Sequence, residues 1–196
     1  MGPVKREELR MNKLAIFDLD GTLFDTTLVN FLSYEKVLEP MGYHPTFEYF
    51  KTECFGHDFG YFGPLLAPGA TAEELKHIHQ AKKACYGAFL DKAVKNEHLF
   101  ALIRLMRGEY HTALVTAGSK ANSSQILAHF GETDCFDLIL SNEDVPRAKP
   151  DPIGFQMAMA HFGVLPEHTI VFEDSQTGIS AAKASGAHLY IVEGYH

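Results

Sequence analysis

An open α/β fold, doubly wound around a parallel sheet and interrupted early by a helical insertion, is predicted by three features of the sequence. Helix-like and strand-like segments alternate from Asn96 onward. The strand-like segments "ALVT", "LIL", "TIVF" and "LYIV" are continuous apolar runs, the pattern of strands buried on both faces. A stretch of helical spacing and dense aromatics separates the first strand from this alternating region.

The elements follow in order. Lys13–Phe17 reads as a short strand that runs into Asp18. Leu28, Phe31, Leu32 and Leu38 fall at helical spacing, and Pro40 and Gly42 stop that helix. The segment "YHPTFEYFKTECFGHDFGYFGPLLAPG" is aromatic and broken by Gly and Pro, and no regular element is predicted there. "TAEELKHIHQAKKACYGAFL" predicts one long helix, with Thr71 as N-cap and Glu74 completing a capping box. Four helix–strand pairs then follow: Glu97–Arg107 with Tyr110–Thr116, Lys120–Phe130 with Phe136–Leu140, Pro152–Phe162 with Thr169–Glu173, and Gln176–Ala184 with Ala187–Val192. Residues 11–24 and 92–196 form the expected core domain, and 25–91 the expected helical cap domain.

Composition bounds the function. A chain of 196 residues holds one ordinary domain plus a small insertion. No apolar run approaches the ~20 residues of a membrane helix. The charged stretch "MGPVKREELRM" lacks the apolar segment of a secretory signal, and Met11 is a possible start. The three cysteines, Cys54, Cys85 and Cys135, are scattered, with no CxxC, and read as free thiols of a reducing compartment. The formal net charge of −8 opposes a nucleic-acid surface. A cytoplasmic monomer without membrane or nucleic-acid partners is expected.

Ligands of open parallel sheets bind at the carboxyl ends of the strands. There this chain places Asp18 and Asp20, then Thr116, then Lys149 in the loop past the third strand, then Glu173 and Asp174. Four acids on one edge repel one another unless a cation joins them, and oxygen-only ligands suit a hard cation such as Mg²⁺. A lysine beside them suits an anionic substrate. Gly21, Gly118 and Gly178 accompany three of these turns, where a backbone approaches a ligand closely.

Four segments in this order, "FDLDGTLFD", "LVTAGS", "AKPDP" and "FEDSQTG", strongly resemble motifs I to IV of the haloacid dehalogenase (HAD) superfamily. The resemblance spans the α/β region and implies a Rossmann-like core with a small α-helical cap at 25–91. It implies that Asp18 is a nucleophile forming an aspartyl-phosphate, and that Asp20 is the general acid and base. It implies that Thr116 and Lys149 hold the transferring phosphoryl oxygens, and that backbone amides of Leu19, Asp20 and Ala117 complete the cradle. Mg²⁺ would be held by Asp18, the Asp20 carbonyl, Glu173 and Asp174, with Glu173 either a direct ligand or one shell out. Residues near 24–26 and 90–94 would be hinges.

An acid at Asp20 points to phosphate esters, since the superfamily's dehalogenases and phosphonate hydrolases lack it. The implied activity is Mg²⁺-dependent hydrolysis of a small phosphorylated metabolite. A sugar phosphomutase of the same superfamily is the alternative, and a non-enzymatic receiver-like phospho-acceptor domain a distant one. The segment 25–90 contains no arginine, the preferred fork for a second phosphate, which favours a phosphatase. Its aromatics mostly read as cap core, with an aromatic-walled pocket for a ring-bearing monophosphate as the sharper reading. Of eleven histidines only His57, in "FGHDFG", is a candidate contact to the leaving group; the plain reading is a turn. Ser175 reads as a helix cap and nothing more.

Overall fold

The structure is a computed structural model that describes residues 12–194; the charged N-terminal stretch with Met11 lies outside them. Contacts divide the chain into two compact units, Asp25–Val94 and the segments on either side of it.

The flanking segments build a five-stranded sheet. β1 is Leu14–Phe17, β4 His111–Val115, β5 Leu138–Leu140, β6 Thr169–Glu173 and β7 His188–Ile191. Their order is β5-β4-β1-β6-β7, and every pairing is parallel. The chain starts in the centre, builds one side, then returns to build the other. The switch of direction lies between β4 and β6, on either side of β1, where open α/β sheets bind ligands. Register fixes what meets there: Phe17 is paired with Leu114 on one side and Phe172 on the other. One residue further on, Asp18, Val115 and Glu173 share the same edge.

Helices α5 (Glu97–Met106), α6 (Lys120–His129), α7 (Ile153–Phe162) and α8 (Gln176–Ser185) connect the strands. Leu14, Ile16, Val115 and Val171 of the sheet pack with Phe155, Ala158 and Met159 of α7 and Ala181 and Ala182 of α8. Each fully buried Leu, Ile or Phe contributes about 1.5–3 kcal/mol. Phe17 stacks on Phe172 at 4.5 Å between ring centres. β5 begins two residues later than the apolar run predicts. The Asp137 amide donates to the Thr112 carbonyl at 2.8 Å while Asp137 Oδ2 accepts from the Thr112 amide at 2.8 Å, so a side chain supplies one of the two bonds just before that strand.

The Asp25–Val94 unit holds α1 (Thr27–Leu38), α2 (Phe47–Glu53), α3 (Phe59–Leu66) and α4 (Ala72–Cys85). The helices α2 and α3 occupy the aromatic stretch for which no element is predicted. Their N-caps are Thr46, accepting from the Tyr49 amide, and Asp58, accepting from the Gly60 amide. Phe50 and Phe62 are buried against Phe31 and Tyr34, and Cys54 and Leu66, four residues on from each, are buried with them, so both helices present one short apolar face. α4 carries the expected Thr71–Glu74 capping box. It ends at Cys85, earlier than predicted, and continues as a 3-10 turn over Tyr86–Lys92, where Gly87 is a poor α-former. Two-residue strands β2 (Phe24–Asp25) and β3 (Val94–Lys95) pair where the chain passes between the units. No described helix is long and apolar enough to cross a membrane.

Candidate active site

The site begins where β1 ends. Asp18 is buried, with its amide held by the Phe172 carbonyl at 3.0 Å. Lys149 reaches it from the loop after β5: Nζ donates to Asp18 Oδ1 at 2.6 Å, to Glu173 Oε1 at 2.7 Å and to the Val115 carbonyl at 3.0 Å. All three of the ammonium's protons are thus spoken for. Burial works against its charge, but the carboxylates of Asp18 and Glu173 outweigh burial and hold the Lys149 pKa above its ordinary value.

The two acids after β6 are held differently. Glu173 is fully buried and both its oxygens are engaged. Besides the Lys149 contact, Oε2 accepts from the Ser175 amide at 2.8 Å and the Ser175 hydroxyl at 3.0 Å. Asp174 Oδ1 accepts from the Thr22 hydroxyl at 2.7 Å. Two glycines make room for these carboxylates. A Cβ on Gly178 would lie 1.6 Å from Glu173 Oε1, and one on Gly21 2.1 Å from Asp174 Oδ2. Gly21 also has φ +91°, which L side chains rarely adopt. The close approach expected at these turns is therefore, at Gly21 and Gly178, an approach to the protein's own acids.

One ligand oxygen each from Asp18, Glu173 and Asp174 can be chosen within 4.8 Å of one another. Burial is the first cause that raises the Asp18 pKa well above its ordinary value; Lys149 opposes it, and Glu173 and Asp174 add to it. Burial likewise pushes Asp174 up to about 6, against the Thr22 hydrogen bond and with Glu173 adding to the rise. One lysine does not neutralise three carboxylates. An oxygen-only acidic set with this deficit fits a hard divalent cation.

Thr116 follows β4 and is buried; its Oγ1 accepts from the Gly118 amide at 2.9 Å. A Cβ on Gly118 would lie 3.2 Å from Thr116 Oγ1 and 3.4 Å from Asp20 Oδ2, which brings Asp20 and Thr116 to the same turn. Among the described residues, the amides of Leu19 and Ala117 donate to no acceptor in the protein. The Leu19 side chain is buried, so only its backbone can serve a ligand. Asp18, Asp20, Leu19, Thr116, Ala117, Lys149, Glu173 and Asp174 are thus gathered at one sheet edge. His57 belongs to the Asp25–Val94 unit, where its exposed ring stands 5.0 Å from that of Tyr61. Its neighbour Asp58 is the α3 cap.

Thr22 escapes the sequence reading, and Ser175 enters it only as a cap. Ser175 does cap α8, accepting from the Gly178 amide at 3.1 Å, but it also donates to Glu173. The one signal for Thr22 was its place in "DGT", directly after the clustered acids.

Residues 15–192 match the family described as haloacid dehalogenase-like hydrolase. The chain belongs to that family. As such it is an enzyme, a HAD-like hydrolase. It is 27% identical to the phosphorylated carbohydrates phosphatase of Thermotoga maritima, over 87% of this chain and 80% of that protein. It is 27% identical to the beta-phosphoglucomutase of Bacillus subtilis, over 89% and 80%. The fold is similar to that of CbbY from Rhodobacter sphaeroides in complex with phosphate, with a TM-score of 0.79 at 23% identity over 94% of this chain and 87% of that one. These likenesses agree with the Rossmann-like core read from the motifs.

Proposed function

We propose that this protein hydrolyses a small phosphomonoester through a phosphorylated Asp18, with Mg²⁺ as cofactor. The observation that carries this reading is the buried Asp18 carboxylate, held by Lys149 between two further acids at the sheet's switch point. An Asp18 oxygen attacks phosphorus as the ester P–O bond breaks, and Asp20 gives its proton to the leaving oxygen. Asp20 then takes a proton from water. That water attacks phosphorus and releases Asp18 and inorganic phosphate. Thr116 and the amides of Leu19 and Ala117 hold the phosphoryl oxygens, joined by Lys149 once it yields one of its three protein acceptors to the substrate. Asp18, Asp174 and Glu173, with the Asp20 carbonyl, are the groups that would hold Mg²⁺. When bound, it supplies the positive charge that keeps Asp18 ionised and neutralises the phosphoryl group.

The substrate class is a phosphorylated metabolite handled by a cytoplasmic monomer. Relatives named for phosphorylated carbohydrates and for fructose-1-phosphate favour a sugar phosphate. The aromatic side chains of the Asp25–Val94 unit mostly pack on one another, which weakens the case for an aromatic-walled nucleoside pocket. The test is phosphate release from a panel of sugar phosphates, nucleoside monophosphates and phosphoglycolate, with and without Mg²⁺, for wild type and Asp18→Asn. Release that needs Mg²⁺ and vanishes in the variant is expected. Equal release by both proteins would refute the role of Asp18, and isomerisation without release would mark a mutase.

A further inference from the structure

The chain leaves the core after Phe24 and returns to it at Lys95. The return point is tied down by a charge cluster distant in sequence from the catalytic motifs. Glu132, just after α6, is buried. Its Oε1 accepts from Lys95 Nζ at 2.9 Å and from Arg104 Nη2 at 2.5 Å, and its Oε2 from Cys135 Sγ at 2.9 Å. A lone buried carboxylate is strongly unfavourable, so this one keeps its charge through its partners. The two cations are unequal. The Lys95 side chain is 14% exposed and that of Arg104 52%, so the lysine is the more enclosed partner and its charge is the less screened by solvent, although it also pairs with the exposed Glu97 at 3.0 Å. Lys95 also sits over the Phe100 ring at 5.4 Å, and Phe24, at the departure point, packs on Phe100 and Phe130. Phe24 and Lys95, the two core residues that flank the insertion, thus share Phe100 of α5 and, beyond it, Phe130 and Glu132 just after α6.

The residue after Lys95 links this patch to the catalytic loop. Asn96 is buried; its amide donates to the Leu23 carbonyl at 2.9 Å and its Nδ2 to the Thr22 carbonyl at 3.2 Å. Its Oδ1 caps α5 at the Leu99 amide. Thr22 in turn holds Asp174. The return point therefore adjoins the backbone that carries Asp18 and Asp20.

We propose that Glu132 is a positioning residue for turnover: through Lys95 it fixes where the inserted unit rejoins the core, and through Asn96 and Thr22 it keeps that junction in register with the catalytic loop. Such a junction is where the motion of an inserted unit would be absorbed. The test compares Glu132→Gln, Lys95→Met, Lys95→Arg and Arg104→Met by amide hydrogen exchange and by kinetics. Glu132→Gln and Lys95→Met should each speed exchange at residues 93–96 by about tenfold while β1 and β4 change little. The two changes combined should do clearly less than the sum of the two alone, since both remove the Lys95–Glu132 pair. Lys95→Arg should restore slow exchange, and Arg104→Met should leave residues 93–96 near wild type. With a turned-over phosphoester, KM should rise several-fold and kcat fall less. The exchange arm stands whether or not the phosphatase reading holds. Unchanged exchange at 93–96, an equal rise throughout the sheet, or an equal effect of Arg104→Met would overturn the proposal. The last two outcomes would reduce Glu132 to a general stabiliser.

Discussion

Gly178→Ala is the change whose outcome the structure decides against ordinary expectation. Gly178 is the third residue of α8, and alanine in a helix is usually favoured over glycine by about 1 kcal/mol. Here the new Cβ would fall 1.6 Å from Glu173 Oε1 and 1.9 Å from its Cδ, whereas ordinary contact begins at 3.4 Å. The carboxylate has nowhere to retreat without leaving its partners, because it is fully buried and accepts from Lys149, the Ser175 amide and the Ser175 hydroxyl. Hydrogen bonds to charged groups are worth about 1.5–3 kcal/mol each. Losing two of the three, less the propensity gain, leaves a net loss of about 2–5 kcal/mol. For a chain of this size that lowers the thermal midpoint by roughly 5–15 °C. Displacing Glu173 also removes one of the acids that hold Lys149, so phosphate release should fall by about two orders of magnitude. Thermal unfolding followed by circular dichroism, beside the phosphate assay, reads both. A midpoint equal to or above wild type with undiminished release would refute the close-approach argument.

Other outcomes follow from the same contacts. Thr22→Val keeps the buried shape but frees Asp174 Oδ1. Titration calorimetry should show Mg²⁺ binding about tenfold weaker, with Thr22→Ser near wild type, and equal affinities would sink the link between them. Mg²⁺ at a hundredfold excess over its Kd should stabilise the protein by about 2.7 kcal/mol in urea unfolding, and Asp174→Asn should abolish that shift. His79 gives a pH dependence from the other unit. Its ring stacks on Phe59 at 4.4 Å and its Nδ1 lies 3.1 Å from the Tyr34 hydroxyl. Burial first, then Lys83 and Lys82, with Asp58 opposing, lower its pKa to about 4. The folded state then refuses a proton that the unfolded state accepts below pH ~6.5, so stability falls as pH drops from there toward 4. Solvent at this partly exposed ring screens the effect to about 1–2 kcal/mol. The urea midpoint at pH 4.5 should recover in His79→Phe relative to wild type, and no recovery would assign the acid loss elsewhere.

The strands and the strand-end residues were legible for one physical reason. β1, β4 and β6 each carry a continuous apolar run, "LAIF", "ALV" and "IVF", and the first polar residue after the run marks the carboxyl edge. Asp18, Thr116 and Glu173 are therefore assigned to one edge by the sequence pattern itself. The helices α2 and α3 were hidden because Tyr49 and Tyr61 blur the i,i+3 spacing of Phe47 with Phe50 and of Phe59 with Phe62, and because Gly60, Gly63 and Pro64 of α3 look like breaks. Only Thr46 and Asp58, short polar residues at the right places, hinted at helix starts. The connectors Phe24–Asp25 and Val94–Lys95 are too short for any period to show. The contacts that orient the acids were equally silent. Thr22 and Asp174 are 152 positions apart, and nothing in either local sequence names the other.

Those silent contacts explain how the fold tolerates its own site. Three carboxylates at one edge would repel in a medium of low dielectric. The chain limits that repulsion by giving each acid a different kind of partner. Asp18 takes the ammonium of Lys149, Glu173 shares that ammonium and adds the Ser175 amide and hydroxyl, and Asp174 takes the Thr22 hydroxyl. The balance still falls short, since burial raises the pKa values of Asp18 and Asp174 despite these partners. A fully neutralised site would be more stable on its own, but it would have nothing left with which to attract a cation. The residual deficit is the part of the arrangement that would draw a cation to it, and the glycines at 21 and 178 leave the room in which Asp174 and Glu173 sit there.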